Sequence, residues 1–96
     1  SVLTGSCTAY SAAEGSMTST GRPVAFGNVA VNPNVIPYGT RMYICSPDGS
    51  YVYGYAIAAD TGGALMSGRV LADLFYETPA ECYSFGRRTM SVYILE

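Results

Sequence analysis

A small closed β-barrel of six strands with one or two short helices is the fold class the sequence predicts. Three observations carry it. Nine Tyr and many Val and Ile fall in short segments broken by Gly and Pro, the composition of strands joined by tight turns. Six such segments fit in 96 residues, a number and length that suit a closed sheet. One stretch alone carries a strong helix-start signal. A chain of this length makes one domain, residues 1–96.

The elements follow in order. Strands are expected at 3–10, 28–32, 40–46, 51–59, 69–75 and 88–95. Residues 11–27, rich in Ser, Gly, Thr and Ala, read as a long loop, and loops of that length in a compact domain are often functional. Asn32-Pro33-Asn34-Val35-Ile36-Pro37-Tyr38-Gly39-Thr40 reads as a rigid turn, because each Pro fixes φ and removes an N–H donor. Ser46-Pro47-Asp48-Gly49 is a hairpin tip, which accounts for Asp48 without chemistry. Thr78-Pro79-Ala80-Glu81 has capping-box spacing with Pro at the first helical position, so a helix runs from here to near Gly86.

Composition narrows the function. The apolar fraction is 49% and the charged fraction 12%, with five Arg against seven acids for a net charge of -2. Such a chain is not disordered, and without a basic stripe nucleic acid is not an expected partner. No apolar run approaches the length of a membrane span. The opening Ser1-Val2-Leu3-Thr4 carries no leader, which reads as a domain cut from a longer secreted or surface protein. The cysteines are Cys7, Cys45 and Cys82, an odd count that fits one disulfide or none. Cys45–Cys82 is the pairing favoured if one forms. With no His and no close Cys pair, neither a zinc site nor a thiol nucleophile is expected.

If the chain is an enzyme, its chemistry must then run mostly on carboxylates. There are three Asp, no His, no Lys and no Trp. Two of the Asp lie in apolar strand sequence, Ala58-Ala59-Asp60-Thr61-Gly62-Gly63-Ala64 and Leu71-Ala72-Asp73-Leu74-Phe75. A buried carboxylate is costly unless paired or protonated. By period two, Asp60 shares a face with Val52, Gly54, Ala56 and Ala58, and Asp73 shares one with Arg69, Leu71 and Phe75. Leu71 and Phe75 would desolvate Asp73 and raise its pKa toward that of a general acid. A structural account competes with this one: Asp60 as a turn anchor on the Gly62 and Gly63 amides, and Asp73 paired with Arg69, Arg87 or Arg88.

An ordered set of motifs adds a family. Thr8-Ala9-Tyr10, Thr18-Ser19-Thr20-Gly21, Gly27-Asn28-Val29-Ala30-Val31-Asn32-Pro33 and Ile36-Pro37-Tyr38-Gly39-Thr40 are followed by Ala59-Asp60-Thr61-Gly62-Gly63-Ala64, Ala72-Asp73-Leu74-Phe75 and Phe85-Gly86-Arg87-Arg88. Together they resemble the 3D domain, named for three aspartates, over nearly the whole chain. The resemblance implies a double-psi β-barrel, related to the catalytic domain of the membrane-bound lytic transglycosylase A type. It also implies peptidoglycan glycan strands as substrate, cut between N-acetylmuramic acid and N-acetylglucosamine to leave a 1,6-anhydromuramyl end, and an extracellular or wall-associated setting in a Gram-positive-type bacterium. Asp73 matches the family's single catalytic acid/base, and Asp60 the second aspartate beside it. The first family aspartate falls on Asn32, which keeps the hydrogen-bonding shape and loses the charge. The Asp60–Asp73 link is two residues longer than the family pattern and has Met66-Ser67 where a Lys is frequent. Tyr10 and Tyr38 become candidates for sugar-face contact, and Thr8, Thr20 and the amides of Gly62 and Gly63 for hydrogen bonds to substrate. No metal or other cofactor is called for.

Two rival readings compete with this one. Hydrophobic-Asp-Thr-Gly is also the aspartic-protease signature, but only 36 residues follow Asp60, and no later hydrophobic-hydrophobic-Gly partner motif appears. A non-catalytic double-psi barrel that binds wall polysaccharide would share most of these features, and Asn32 and the longer link favour it.

Overall fold

Six strands close into a barrel in the order β1-β5-β2-β4-β3-β6. They are β1 (Val2–Tyr10), β2 (Asn28–Val31), β3 (Arg41–Cys45), β4 (Val52–Asp60), β5 (Ala72–Phe75) and β6 (Arg88–Ile94), with helices α1 (Gly63–Met66) and α2 (Pro79–Phe85). The computed structural model describes residues 1–12 and 16–95, so residues 13–15 of the expected loop lie outside the described part. Two pairs, β1 with β5 and β2 with β4, are parallel, and the other four are antiparallel. This is the double-psi barrel, and all six expected strands are present.

Side chains that alternate inward fill the barrel. Cys7, Val29, Val31, Met42, Ile44, Ala72, Leu74, Met90 and Val92 are fully buried and form one cluster with Ile36, Tyr53 and Phe85. Burying each large aliphatic side chain here contributes roughly 1.5–3 kcal/mol. Among the described residues, no helix is long and apolar enough to cross a membrane.

The faces of β4 depart from strict period two. Its inward residues are Tyr53, then Ala56 and Ala58, while Val52 and Tyr55 are exposed. Ile44 pairs with Gly54 but Cys45 with Val52, so Tyr53 is an extra residue in a bulge. Gly54 takes φ +110 there, a region that disfavours any side chain. A second bulge follows. Val29 pairs with Ala58 and Ala30 with Asp60, leaving Ala59 unmatched. Asp60 is thereby turned away from the face of Ala56 and Ala58 on which period two places it.

The capping box at α2 is complete. Thr78 Oγ1 accepts from the Glu81 amide at 3.2 Å, and Glu81 Oε1 accepts from the Thr78 amide at 3.1 Å. The helix ends at Gly86, φ +64. Arg88 stacks over Tyr51 at 4.3 Å and Phe85 at 4.8 Å, which ties α2 to the barrel. Strand β5 is shorter than expected. The Arg69 and Val70 amides still donate to the Ala64 carbonyl, so the chain leaves α1 in a turn and enters the sheet only at Ala72.

All three cysteines are free thiols, which overturns the Cys45–Cys82 pairing. Cys45 ends β3 between Val52 of β4 and Ser91 of β6. Cys82 lies on α2, which packs beside β1, and α2 does not border β3 in the sheet order. Burial pushes the Cys7 thiol up to about 11, so it stays protonated and unreactive.

Two substitutions test this account of the chain. Gly54→Ala meets no atom within 4 Å, so its cost is backbone strain alone, about 1–3 kcal/mol. Thr78→Ala removes the cap and costs about 1 kcal/mol. Urea unfolding of both variants measures these losses, and a neutral Gly54→Ala would refute the bulge.

Candidate active site

The second bulge on β4 sets the site. Asp60 pairs with Ala30 of β2, Ala30 with Asp73 of β5, and Asp73 with Thr8 of β1. Residues in register on neighbouring strands point to the same side of the sheet. Thr8, Asp73, Ala30 and Asp60 therefore form one row across four strands on the outer wall. Inside the wall, Cys7, Val29, Val31, Ala72 and Leu74 fill the core. The two carboxylates lie two strand spacings apart, about 10 Å between backbones, with the short side chain of Ala30 between them.

A small apolar cap rests on that alanine. Ala30 forms a buried cluster with Leu65 of α1 and Val70, and Tyr10 and Ala64 pack against that cluster. Tyr10 also meets Phe75 edge-on at 5.5 Å and donates a long hydrogen bond of 3.4 Å to the Asn28 carbonyl. Burial raises the Tyr10 phenol above its ordinary range, and the charges of Asp60 and Asp73 push it in the same direction. Tyr10 thus lies within electrostatic reach of both carboxylates and keeps its proton as a donor.

Asp73 is partly buried, and its Oδ1 accepts from Thr8 Oγ1 at 3.0 Å. Burial raises its pKa above the usual carboxylate range, the Thr8 hydrogen bond lowers it, and the charge of Asp60 raises it. Arg69, Arg87 and Arg88 have other partners. Arg69 donates to Ser67, Arg87 to Ser6 and the Arg69 carbonyl, and Arg88 to the Phe85 and Ser84 carbonyls.

Asp60 has a different setting. Its Oδ1 accepts from Ser19 N at 3.0 Å, Ser19 Oγ at 2.6 Å and Thr61 N at 2.9 Å. The anchoring donors are thus Ser19 and Thr61, not the Gly62 and Gly63 amides. Gly62 caps α1, and the carbonyls of Gly62 and Gly63 accept from Leu65, Met66 and Ser67. Thr20 Oγ1 donates to the Ala59 carbonyl at 2.9 Å, so Thr20 pins its loop to β4 while the adjacent Ser19 holds Asp60. Ser19 was visible only as one hydroxyl in the run Thr18-Ser19-Thr20, and nothing in spacing separates it from its neighbours.

The remaining candidates lie around this row. Asn32 Oδ1 accepts from the Asn34 amide at 2.9 Å, and its carbonyl accepts from Val35 and Ile36. It shapes the turn after β2 and lines a hollow of about 270 Å³ with Leu65, Arg69 and Val70. Tyr38 is exposed in the same turn, which is clasped to β4 by the Gly39 amide on the Ala58 carbonyl at 2.8 Å. Sequence reasoning missed a groove of about 340 Å³ beside Tyr10, walled by Ser11, Pro79, Cys82 and Tyr83. Another hollow, of about 470 Å³, lies against β3 and β4 and contains neither carboxylate. The row is the chemically equipped location: one carboxyl biased toward its protonated form, a second carboxylate beside it, and hydroxyl donors at Thr8 and Tyr10.

Known proteins share this architecture. The 3D domain model matches residues 27–96. The chain is 38% identical over 101 residues to YabE of Bacillus subtilis (strain 168), a protein named for cell wall shaping, covering 98% of this chain and 23% of that protein. It is 37% identical over 100 residues to YocH of the same organism, a cell wall-binding protein, covering 97% of this chain and 32% of that protein. The chain thus spans a third or less of these relatives. Among solved structures it resembles MltA from E. coli, with a TM-score of 0.67 at 22% identity, over 84% of this chain and 27% of that one. A variant of that lytic transglycosylase in an apo form gives 0.69 at 20% identity, with the same coverage. At these identities the structural likeness establishes the fold. The family match and the two relatives establish the lineage: this chain belongs to the 3D domain family.

Proposed function

We propose that this domain acts on the bacterial cell wall as a lytic transglycosylase-like enzyme, cutting the β-1,4 bond from N-acetylmuramic acid to N-acetylglucosamine. One observation carries the reading. Asp73 is a partly buried carboxyl with a raised pKa, bonded to Thr8 and in register with Ala30 and Asp60. The relatives' names, one for cell wall shaping and one for cell wall binding, support peptidoglycan as partner and an extracellular or wall-associated location.

The chemistry uses one carboxyl twice. Protonated Asp73 gives its proton to the glycosidic oxygen as the bond to the muramyl anomeric carbon breaks. The resulting carboxylate takes the proton of the muramyl 6-hydroxyl, whose oxygen bonds to that carbon. The product is a 1,6-anhydro ring, and no water enters. The paired spacing of ordinary glycosidases is therefore not required. Asp60 favours the protonated state of Asp73 by its charge, and Thr8 orients the carboxyl. Asn32 and the name of the wall-binding relative favour a second reading, a barrel that holds wall polysaccharide without cutting it.

Mass spectrometry of purified glycan strands separates the two. Wild type is expected to release anhydromuramyl products, and Asp73→Asn to lose about 100-fold or more of that activity. Products with a reducing end would indicate hydrolysis instead. No products from a wild type that still sediments with the wall would establish the binding reading.

The pH dependence has a definite sign. Asp73 must start protonated, so activity falls as pH rises through its raised pKa. Asp60→Asn removes the charge that raises that pKa, so the falling limb moves to lower pH. Stability follows the same titration. From the ordinary Asp value of 3.8 upward to the raised one, the folded state holds a proton that the unfolded state has lost, and stability declines across that window. Asp73→Asn removes this decline. Rate profiles and urea midpoints against pH measure both, and a limb that stays in place in Asp60→Asn would refute the coupling.

A further inference from the structure

The half of the barrel away from the aspartates presents a second row. Val2 of β1 pairs with Tyr93 of β6, Tyr93 with Tyr43 of β3, and Tyr43 with Tyr55 of β4. Their strand neighbours Met42, Ile44 and Val92 are fully buried, so this row faces outward. Tyr55 is 73% exposed and Tyr93 41%. The Tyr43 and Tyr55 rings meet edge-on at 5.0 Å. From Tyr93 to Tyr55 the row crosses two strand spacings, about 10 Å, comparable with the length of a β-1,4-linked disaccharide.

The 470 Å³ hollow adjoins this row and shares Tyr55 with it. Phe26 also lines the hollow and is held by stacking on Tyr53 at 4.3 Å. Arg41 pairs with Ile57 next to the tyrosine row, and it is the one charged side chain among the described residues lining the hollow. A guanidinium offers five donors in a fork that suits carboxylates.

We propose that the Tyr93–Tyr43–Tyr55 row and the Arg41 hollow form a second glycan-binding face, separate from the Asp73 row, that holds a wall strand. This rests on the cell-wall reading above. Tyrosine rings offer apolar faces to the C–H faces of pyranose rings and hydroxyls to their edges. Arg41 suits the carboxylates that hang from a muramyl strand. A second copy of this chain, which a twofold contact would set face to face on this surface, is the rival occupant that the oligomeric state tests. Held at this face, the domain stays on the wall while the Asp73 row engages one bond.

Co-sedimentation with purified peptidoglycan sacculi tests the face. Tyr55→Ala with Tyr93→Ala is expected to weaken retention about tenfold or more, and Tyr55→Phe, which keeps the ring, to retain it. Both side chains are exposed, and an unchanged thermal midpoint verifies the fold. Cleavage of a soluble tetrasaccharide, too short to span both rows, is expected to stay within about twofold, since stacking at the remote face adds nothing for it. Wild-type retention in the double-alanine variant would overturn the proposal even where anhydromuramyl products confirm the enzyme. Retention that depends on the tyrosines in a domain that cuts nothing would sustain this face and remove the catalytic reading. A wild-type dimer that the double variant dissociates, with retention unchanged, would overturn the proposal in favour of a contact between copies.

Discussion

Register across β1, β5, β2 and β4 is the constraint on which the site depends. Strand side chains alternate faces, so a slip of one residue moves every side chain to the opposite wall. Asp73 faces outward because Ala72 and Leu74 face the core. Asp60 faces outward only because Ala59 is an extra residue in β4. Without that bulge, Asp60 would continue the inward series of Ala56 and Ala58 and set a carboxylate in an apolar barrel. Such burial costs several kcal/mol unless the group takes up a proton. The bulge removes that cost and aligns the two aspartates through Ala30.

The loop after β1 completes the arrangement. Asp60 takes three hydrogen bonds on one oxygen, and two come from Ser19. Thr20 adds a bond to the Ala59 carbonyl, at the bulge itself. The bulged backbone and the carboxylate beside it are thus held by the same two loop residues. Asp60 serves at once as anchor for this loop and as the charge that acts on Asp73.

Much of this was legible in the sequence, and the reasons differ by element. The strands were readable because Val, Ile and Tyr segments alternate with Gly and Pro turns. The α2 cap was readable because Thr78 and Glu81 satisfy each other locally. Asp60 and Asp73 stood out as the only carboxylates in apolar strand sequence. The bulges were not readable, since an extra residue is defined by the partner strand and not by its own neighbours. Gly54 hinted at one, but a strand glycine has several explanations. The choice of Ser19 over Thr20, and the alignment of Tyr55, Tyr43 and Tyr93, likewise arise only when the strands are paired.

A chain without His or Lys faces a particular problem in acid–base work: the same carboxyl must be stable in both states. Burial favours the acid, as does the charge of Asp60 across Ala30. The Thr8 hydroxyl favours the base, because a carboxylate accepts a stronger hydrogen bond than the acid does. These influences oppose one another at Asp73. On the proposed mechanism that opposition is useful, since a carboxyl pushed far in either direction would perform one proton transfer well and the other poorly. Thr8 is then more than a scaffold contact. On that mechanism it supplies the counterweight that would let one aspartate serve as acid and then as base within a single turnover.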